Sequence, residues 1–210
     1  MKVIILPNDQ KTAEQGINDA MRRIGGVPIF FHTIMLFEKR GFYDFIICDN
    51  SDTHEIRDYL NSNLEKIRGL KIRLLKVPEG IKSVKLLSCC EKYGIETAFF
   101  VAPNDVITDL DPEKMLSTHR QNARVGTVFI AEERKYFNSL GMDKDEKYEA
   151  RVVNTGFYVF EPEALEYTDA NATIDSELLI RLAENDELTT FSSDYFIQRS
   201  NASRHQQSYN

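Results

Sequence analysis

The chain is poor in the residues that staple small proteins covalently and in those that attract polyanions. Three cysteines occur in 210 residues, Cys48, Cys89 and Cys90. An odd number containing an adjacent pair makes neither a disulfide framework nor a CxxC metal site, and reads as reduced core thiols in a cytoplasmic protein. Lys and Arg number 26 against 33 Asp and Glu, a net charge of −7. That balance argues against nucleic acid or an anionic membrane as the main partner, since either needs a clustered basic face. No apolar run approaches the roughly 18 residues of a membrane span, and Met1 to Leu6 is too short for the apolar region of a signal peptide. No Gly/Ser/Pro-rich linker divides the chain, so one domain over residues 1–200 is expected, with a loose polar tail at 201–210. His32, His54, His119 and His205 are scattered without ligand spacing, and no Ser/His/Asp or Cys/His set stands in motif context.

What is present is alternation. Val3 to Leu6, Phe45 to Cys48 and Thr97 to Val101 are continuous apolar runs, as strands buried on both faces should be. Between them lie helical patterns: one from Pro28 carrying Phe30, Phe31, Ile34 and Phe37 and closed by Gly41, and one behind an Asp52-to-Glu55 capping box with Ile56, Tyr59, Leu60 and Leu64. Lys71 to Val77 reads as a strand, Lys82 to Tyr93 as a helix closed by Gly94, and Asp111-Pro112 as an N-cap and first position of a further helix. Strands at Val125 to Ala131 and Gly156 to Phe160, a helical turn at Pro162, a helix from Asp175 to Asn185 and strand-like Tyr195 to Ile197 complete the pattern. Strands alternating with helices of this length predict an α/β fold, a Rossmann-like, mixed but mainly parallel sheet with helices on both faces. The first three apolar strands should lie side by side and parallel. Ligands in such sheets sit beyond the strands' carboxyl ends, so the loop after Leu6 is the first place to look for a site.

Ile24-Gly-Gly-Val-Pro-Ile29, Gly41-Phe-Tyr-Asp-Phe-Ile-Ile-Cys48, Glu55-Ile-Arg-Asp-Tyr-Leu60, Glu96 to Asp105 with Asp109-Leu-Asp111, and Val153-Asn-Thr-Gly-Phe-Tyr-Val-Phe-Glu-Pro162 follow one another across almost the whole chain. In order and spacing they resemble the sugar-1-phosphate nucleotidylyltransferases, most of all the glucose-1-phosphate cytidylyltransferase branch. The resemblance implies the nucleotide-diphospho-sugar transferase fold. It also implies transfer of a nucleotide from a nucleoside triphosphate to a sugar 1-phosphate, with release of pyrophosphate and a divalent metal, in nucleotide-sugar or polysaccharide biosynthesis.

The family's site residues carry over unevenly. Its glycine-rich Leu-Ala-Gly-Gly-x-Gly-Thr-Arg loop matches Leu6-Pro-Asn-Asp-Gln-Lys-Thr-Ala13, which implies nucleotide contacts at Leu6, Asn8 and Thr12. The glycines that let backbone N–H groups approach a triphosphate are gone, Pro7 removes a donor, and Ala13 stands where an arginine neutralises developing charge. The family's Pro-Lys-Pro lysine falls on Asp19, and its base-holding Gly-Gly-Arg falls on Ser83-Val-Lys85, so Lys85 is a further nucleotide contact. Asn104, Asn154, Thr155 and Gly156 match substrate-binding positions. Asp105 matches one metal carboxylate, and Asn201 puts a neutral amide at the other, so Mg²⁺ is expected to bind weakly. Asp105 also has a plain reading as a turn residue, and Asp111 as a helix cap. Two functions follow. One is a weakly active or inactive homologue binding a sugar phosphate, a nucleotide, a partner subunit or a second copy of itself. The other is a working transferase with a phosphate loop rebuilt from Lys11, Arg22 and Arg23, beside which a related glycosyltransferase stands third.

Overall fold

A computed structural model of the chain describes residues 1–7, 19–49, 54–78, 80–136, 148–192 and 197–199. In chain order, β1 (Lys2–Leu6) leads by way of a 3-10 turn at Asp19–Met21 to a small hairpin, β2 (Arg23–Ile24) and β3 (Val27–Pro28). Then follow α1 (Ile29–Glu38), β4 (Asp44–Asp49), α2 (Glu55–Asn61), β5 (Lys71–Lys76), α3 (Ser83–Glu91), β6 (Phe99–Pro103), β7 (Val106–Thr108) and α4 (Pro112–Asn122). The last part holds β8 (Gly126–Tyr136), β9 (Tyr148–Phe160), a 3-10 turn at Pro162–Tyr167, a π-turn at Ile174–Leu178 running into α5 (Leu179–Glu184), β10 (Leu188–Ser192) and β11 (Ile197–Arg199).

Seven strands form one sheet in the order β10-β8-β9-β6-β1-β4-β5. The three apolar strands are neighbours and parallel, with Val3 opposite both Phe45 and Phe100. Only β9 runs against the rest of this sheet, pairing antiparallel with both β6 and β8. Apolar runs are continuous because the sheet is covered on both sides. Val3, Ile5, Phe45, Ile47, Phe100 and Val159 face the layer of α1, α2 and α4, while Ile4, Leu6, Ile46, Cys48, Val101 and Phe160 face that of α3 and α5. Side chains alternate across a strand with period two, so each run supplies both cores at once. Full burial of such side chains stabilises by about 1.5–3 kcal/mol apiece before conformational entropy is set against it.

The connections explain where a ligand can sit. From β1 the chain steps outward through β4 to β5, then returns past its start to place β6 on the other side of β1. The crossover helices α1 and α2 pack on one face and α3 on the other, as right-handed connections demand when the stepping direction reverses. A crevice therefore opens at the carboxyl ends of β1 and β6.

Several expectations are corrected. Pro28 precedes α1 as its cap rather than occupying its first turn. His54, without a side-chain cap bond, precedes α2, and Asp52 of the expected capping box lies outside the described residues. That helix ends at Asn61, which leaves Leu64 64% exposed rather than on an apolar stripe. β7 and β10 carry no expected counterpart. Both are short, and β10 joins the sheet edge through parallel pairing with β8. β9 begins eight residues before the expected strand, at Tyr148. Of the expected last strand, Ile197 lies in β11, and Tyr195 and Phe196 lie outside the described residues, as does the expected polar tail.

Candidate functional site

A cleft of about 270 Å³ lies at that crevice. Its floor is the end of β1, Leu6 and Pro7, and the end of β6, Val101 to Pro103, followed by Asp105. One wall is the start of α3, Lys82 and Ser83; the other is Gly156 and Tyr158 of β9; Thr173 to Ser176 close the rim.

β9 reaches the cleft through an irregularity. Val128 opposes Tyr158 while Ile130, two residues on, opposes Asn154, so β9 carries two extra residues between them. Such bulges bend a strand and re-aim its side chains. Gly156 sits inside with φ +88°, and a Cβ there would stand 3.3 Å from Pro103 Cγ. Asn154 spans the bulge by accepting a hydrogen bond from the Gly156 N–H at 3.0 Å. Its Nδ2 donates to the Tyr158 hydroxyl at 3.0 Å and to Asp175 Oδ1 at 2.9 Å, and the Tyr158 hydroxyl itself donates to the same carboxylate oxygen. Thr155 points the other way: buried, it donates to the Phe129 carbonyl at 2.7 Å and accepts from the Phe157 N–H at 3.3 Å. Its hydroxyl braces β8 against β9, and Thr155 is outside the cleft lining.

The expected residues are thus partly gathered. Leu6, Asp105 and Gly156 line the cleft, with Asp105 only 1% exposed. Asn104 is buried, its N–H bonded to the Leu6 carbonyl at 3.0 Å, and Asn154 hydrogen-bonds Tyr158 and Asp175, which line the cleft. Lys85 is exposed on α3 outside the lining; the lysine at the cleft is Lys82, three residues earlier. Asn8, Lys11, Thr12 and Asn201 lie outside the described residues. Arg22 pairs with Asp19 at 3.1 Å, while Arg23 donates to the Gly26 carbonyl and lies 6.0 Å over the Tyr59 ring; neither lines the cleft. Asp111 caps α4, accepting from the Glu113 and Lys114 N–H groups. Sequence reasoning missed Tyr158 and Asp175. Asp175 stands at an expected helix start, and Thr173 just before it, whose side chain accepts from the Ser176 N–H, was the signal for a built turn.

A third polar cluster is structural. His119 bonds Thr127 Oγ1 at 2.8 Å and Glu161 Oε1 at 3.3 Å, and burial pushes its imidazole below the ordinary value, against the opposing pull of Glu161. Thr127 is fully buried, so this trio offers no nucleophile to a substrate.

Among the described residues no group of three or more His, Cys, Asp or Glu could hold a metal ion. The donors fit a cation in part: Mg²⁺ takes one or two carboxylates together with substrate phosphates and water, and Asp105 would supply one such carboxylate. No helix among the described residues is long and apolar enough to cross a membrane.

No protein-family model matches the chain. Glucose-1-phosphate cytidylyltransferase of Salmonella typhi is 23% identical over 207 residues, covering 85% of this chain and 80% of that protein. A probable glucose-1-phosphate cytidylyltransferase of Bacillus subtilis (strain 168) is 25% identical over 224 residues, covering 91% and 87%. Among solved structures, HddC from Yersinia pseudotuberculosis superposes with a TM-score of 0.74 at 14% identity over 94% of this chain and 92% of that one. A putative glucose-1-phosphate thymidylyltransferase from Bacillus anthracis, in complex with a sucrose, gives 0.73 at 12% identity over 95% and 89%. The sheet order and helix layers are those of the nucleotide-diphospho-sugar transferase fold.

Proposed function

Since the chain is related to the sugar-1-phosphate nucleotidylyltransferases, we propose that its cleft binds a sugar phosphate or nucleotide while catalysing nucleotidyl transfer weakly or not at all. The observation that carries the reading is Pro7. It is buried at the end of β1 and lines the cleft at the place where the family resemblance calls for a backbone donor toward the triphosphate. Proline has no N–H to give. Preorganised donors aimed at developing charge are commonly the largest single contribution to such chemistry, and losing one costs about 2.7–4 kcal/mol, a hundredfold or more in rate. Arg22 and Arg23, the candidates to compensate, are engaged with Asp19 and with Gly26 and Tyr59, which supports the inactive reading over the rebuilt-loop one. Asp105 would hold a divalent cation together with a bound phosphate rather than before it, which accords with weak affinity for the metal alone. A cation there supplies charge neutralisation for the phosphate oxygens.

The test is a thermal-shift panel of nucleoside triphosphates and sugar 1-phosphates with Mg²⁺, run beside pyrophosphate release on the same pairs. At least one sugar phosphate or nucleotide should raise the melting temperature, because a ligand bound only by the folded state stabilises it. Pyrophosphate should stay at background. Turnover with any pair at more than about a hundred times background, abolished by Asp105→Ala, would establish a working transferase instead.

A further inference from the structure

Building on the sugar-phosphate reading of the cleft, we propose that Asp175 is its specificity-determining residue, selecting a neutral hydroxylated ring and rejecting sugars that carry a carboxylate. The side chain is placed from three directions. A π-turn, a rare conformation concentrated at functional sites, begins at Ile174. The turn is pinned to α3 by a bond from the Ile174 N–H to Ser83 Oγ at 2.9 Å, and internally by Thr173 Oγ1, which accepts from the Ser176 N–H at 3.2 Å. From β9, the Tyr158 hydroxyl and Asn154 Nδ2 both donate to Oδ1. Oδ2 takes part in none of these bonds, and the carboxylate lines the cavity.

A carboxylate held in this way is an acceptor only, and sugar hydroxyls are donors, so the two form charge-assisted hydrogen bonds of roughly twice the ordinary strength. Among the described residues the other charged side chains on the cleft lining are Asp105, which would hold a divalent cation with the phosphate, and, at the exposed edge, Lys82. That leaves Asp175 as the carboxylate facing the ring. A hexuronic acid would bring a second carboxylate against it, and a like charge at close range costs on the order of tenfold in affinity. Asp175 is exposed, so salt screens the repulsion.

Calorimetry on the intact protein with Mg²⁺, titrating glucose 1-phosphate and glucuronic acid 1-phosphate, tests the assignment. At low ionic strength the native protein should prefer the neutral sugar about tenfold, with the preference shrinking as salt is added. Asp175→Asn, near-isosteric, should bring the ratio close to one chiefly by improving glucuronic acid 1-phosphate binding, a gain that mere unfolding cannot produce. Tyr158→Phe keeps the charge and should weaken the neutral sugar a few-fold while leaving the discrimination in place. Discrimination that survives Asp175→Asn, equal weakening of both ligands in that variant, or binding by the native protein without preference overturns the assignment alone. Binding of neither ligand by the native protein overturns the sugar-phosphate reading and this assignment together.

Discussion

Replacing Gly156 by Ala tests whether the bulge in β9 is built around a residue without a side chain. The backbone there has φ +88°, where an L residue is strained by about 1–2 kcal/mol. A Cβ would also stand 3.3, 3.5 and 3.7 Å from three atoms of the Pro103 ring. Pro103 cannot swing aside freely, since it ends β6 in register with Leu6 of β1. Overpacking of this kind costs about 1–3 kcal/mol. Together these predict a loss of about 2–5 kcal/mol, or a fall of roughly 4–20 °C in melting temperature at about 2–4 °C per kcal/mol for a chain of this size. Gly94→Ala separates the two effects. Gly94 has φ +78°, but a Cβ there meets only Lys2 Nζ at 3.9 Å and Glu96 Oε1 at 4.0 Å, so it should lose only the strain, about 1–2 kcal/mol. Urea unfolding of the three proteins, with m-values compared, is the assay. Equal losses in the two variants, or a loss under about 0.5 kcal/mol at Gly156, would refute the close-approach argument.

His119 predicts a pH dependence. Burial lowers its folded-state pKa below the ordinary 6.5, against the raising effect of Glu161, so the unfolded chain binds the proton more readily. The stability that the neutral ring confers is full above about pH 6.5 and declines as pH falls through that value toward the lower folded one. The urea midpoint should therefore drop between pH 7.5 and 5.5, and by less in His119→Gln; identical drops would show that the ring does not contribute. The thiols give a third check. Cys48 and Cys90 are fully buried with their sulfurs 3.8 Å apart, and the hydrogen bond between them, together with burial, pushes the Cys48 thiol well up. An aromatic disulfide reagent should label only the partly exposed Cys89 quickly, and all three thiols after unfolding; two fast thiols in the native protein would contradict the packing.

The central strands were legible because double burial writes itself into sequence as unbroken apolar runs, and no helix or half-exposed strand competes with Val3 to Leu6 or Phe45 to Cys48 on that count. The edge was not. β10 is Leu-Thr-Thr-Phe-Ser, with only Phe191 buried, so its strand state comes from pairing with β8 rather than from its own pattern. For the site, the expected residues Leu6, Asp105 and Gly156 fall together on the cleft lining, each beside a strand end or bulge that its local sequence marks. Asp175 carried no such local signal, because its placement on the lining depends on hydrogen bonds from Tyr158 and Asn154, 17 and 21 residues away in sequence. The resemblance places a charge at Lys85 without fixing the face of α3 that carries it, and the lysine on the described lining is Lys82, one turn earlier.

The reversed strand bears on how the protein is made. Synthesis runs from the amino end, and the four parallel strands β1, β4, β5 and β6 are complete once Pro103 has emerged. The outer edge of β6 then has no partner until β9 ends at Phe160, 57 residues later, a delay of roughly 3–11 s at about 5–20 residues per second. Throughout that interval Phe99, Phe100 and Val101, all destined for full burial, stand on an open strand edge, the kind of surface that recruits other chains. Nascent chains arrested between residues 103 and 160 are therefore the ones that holding chaperones should retain. Release should coincide with arrival of the strand that also carries Gly156 and Tyr158, so the cleft wall and the protected sheet edge are finished in the same event.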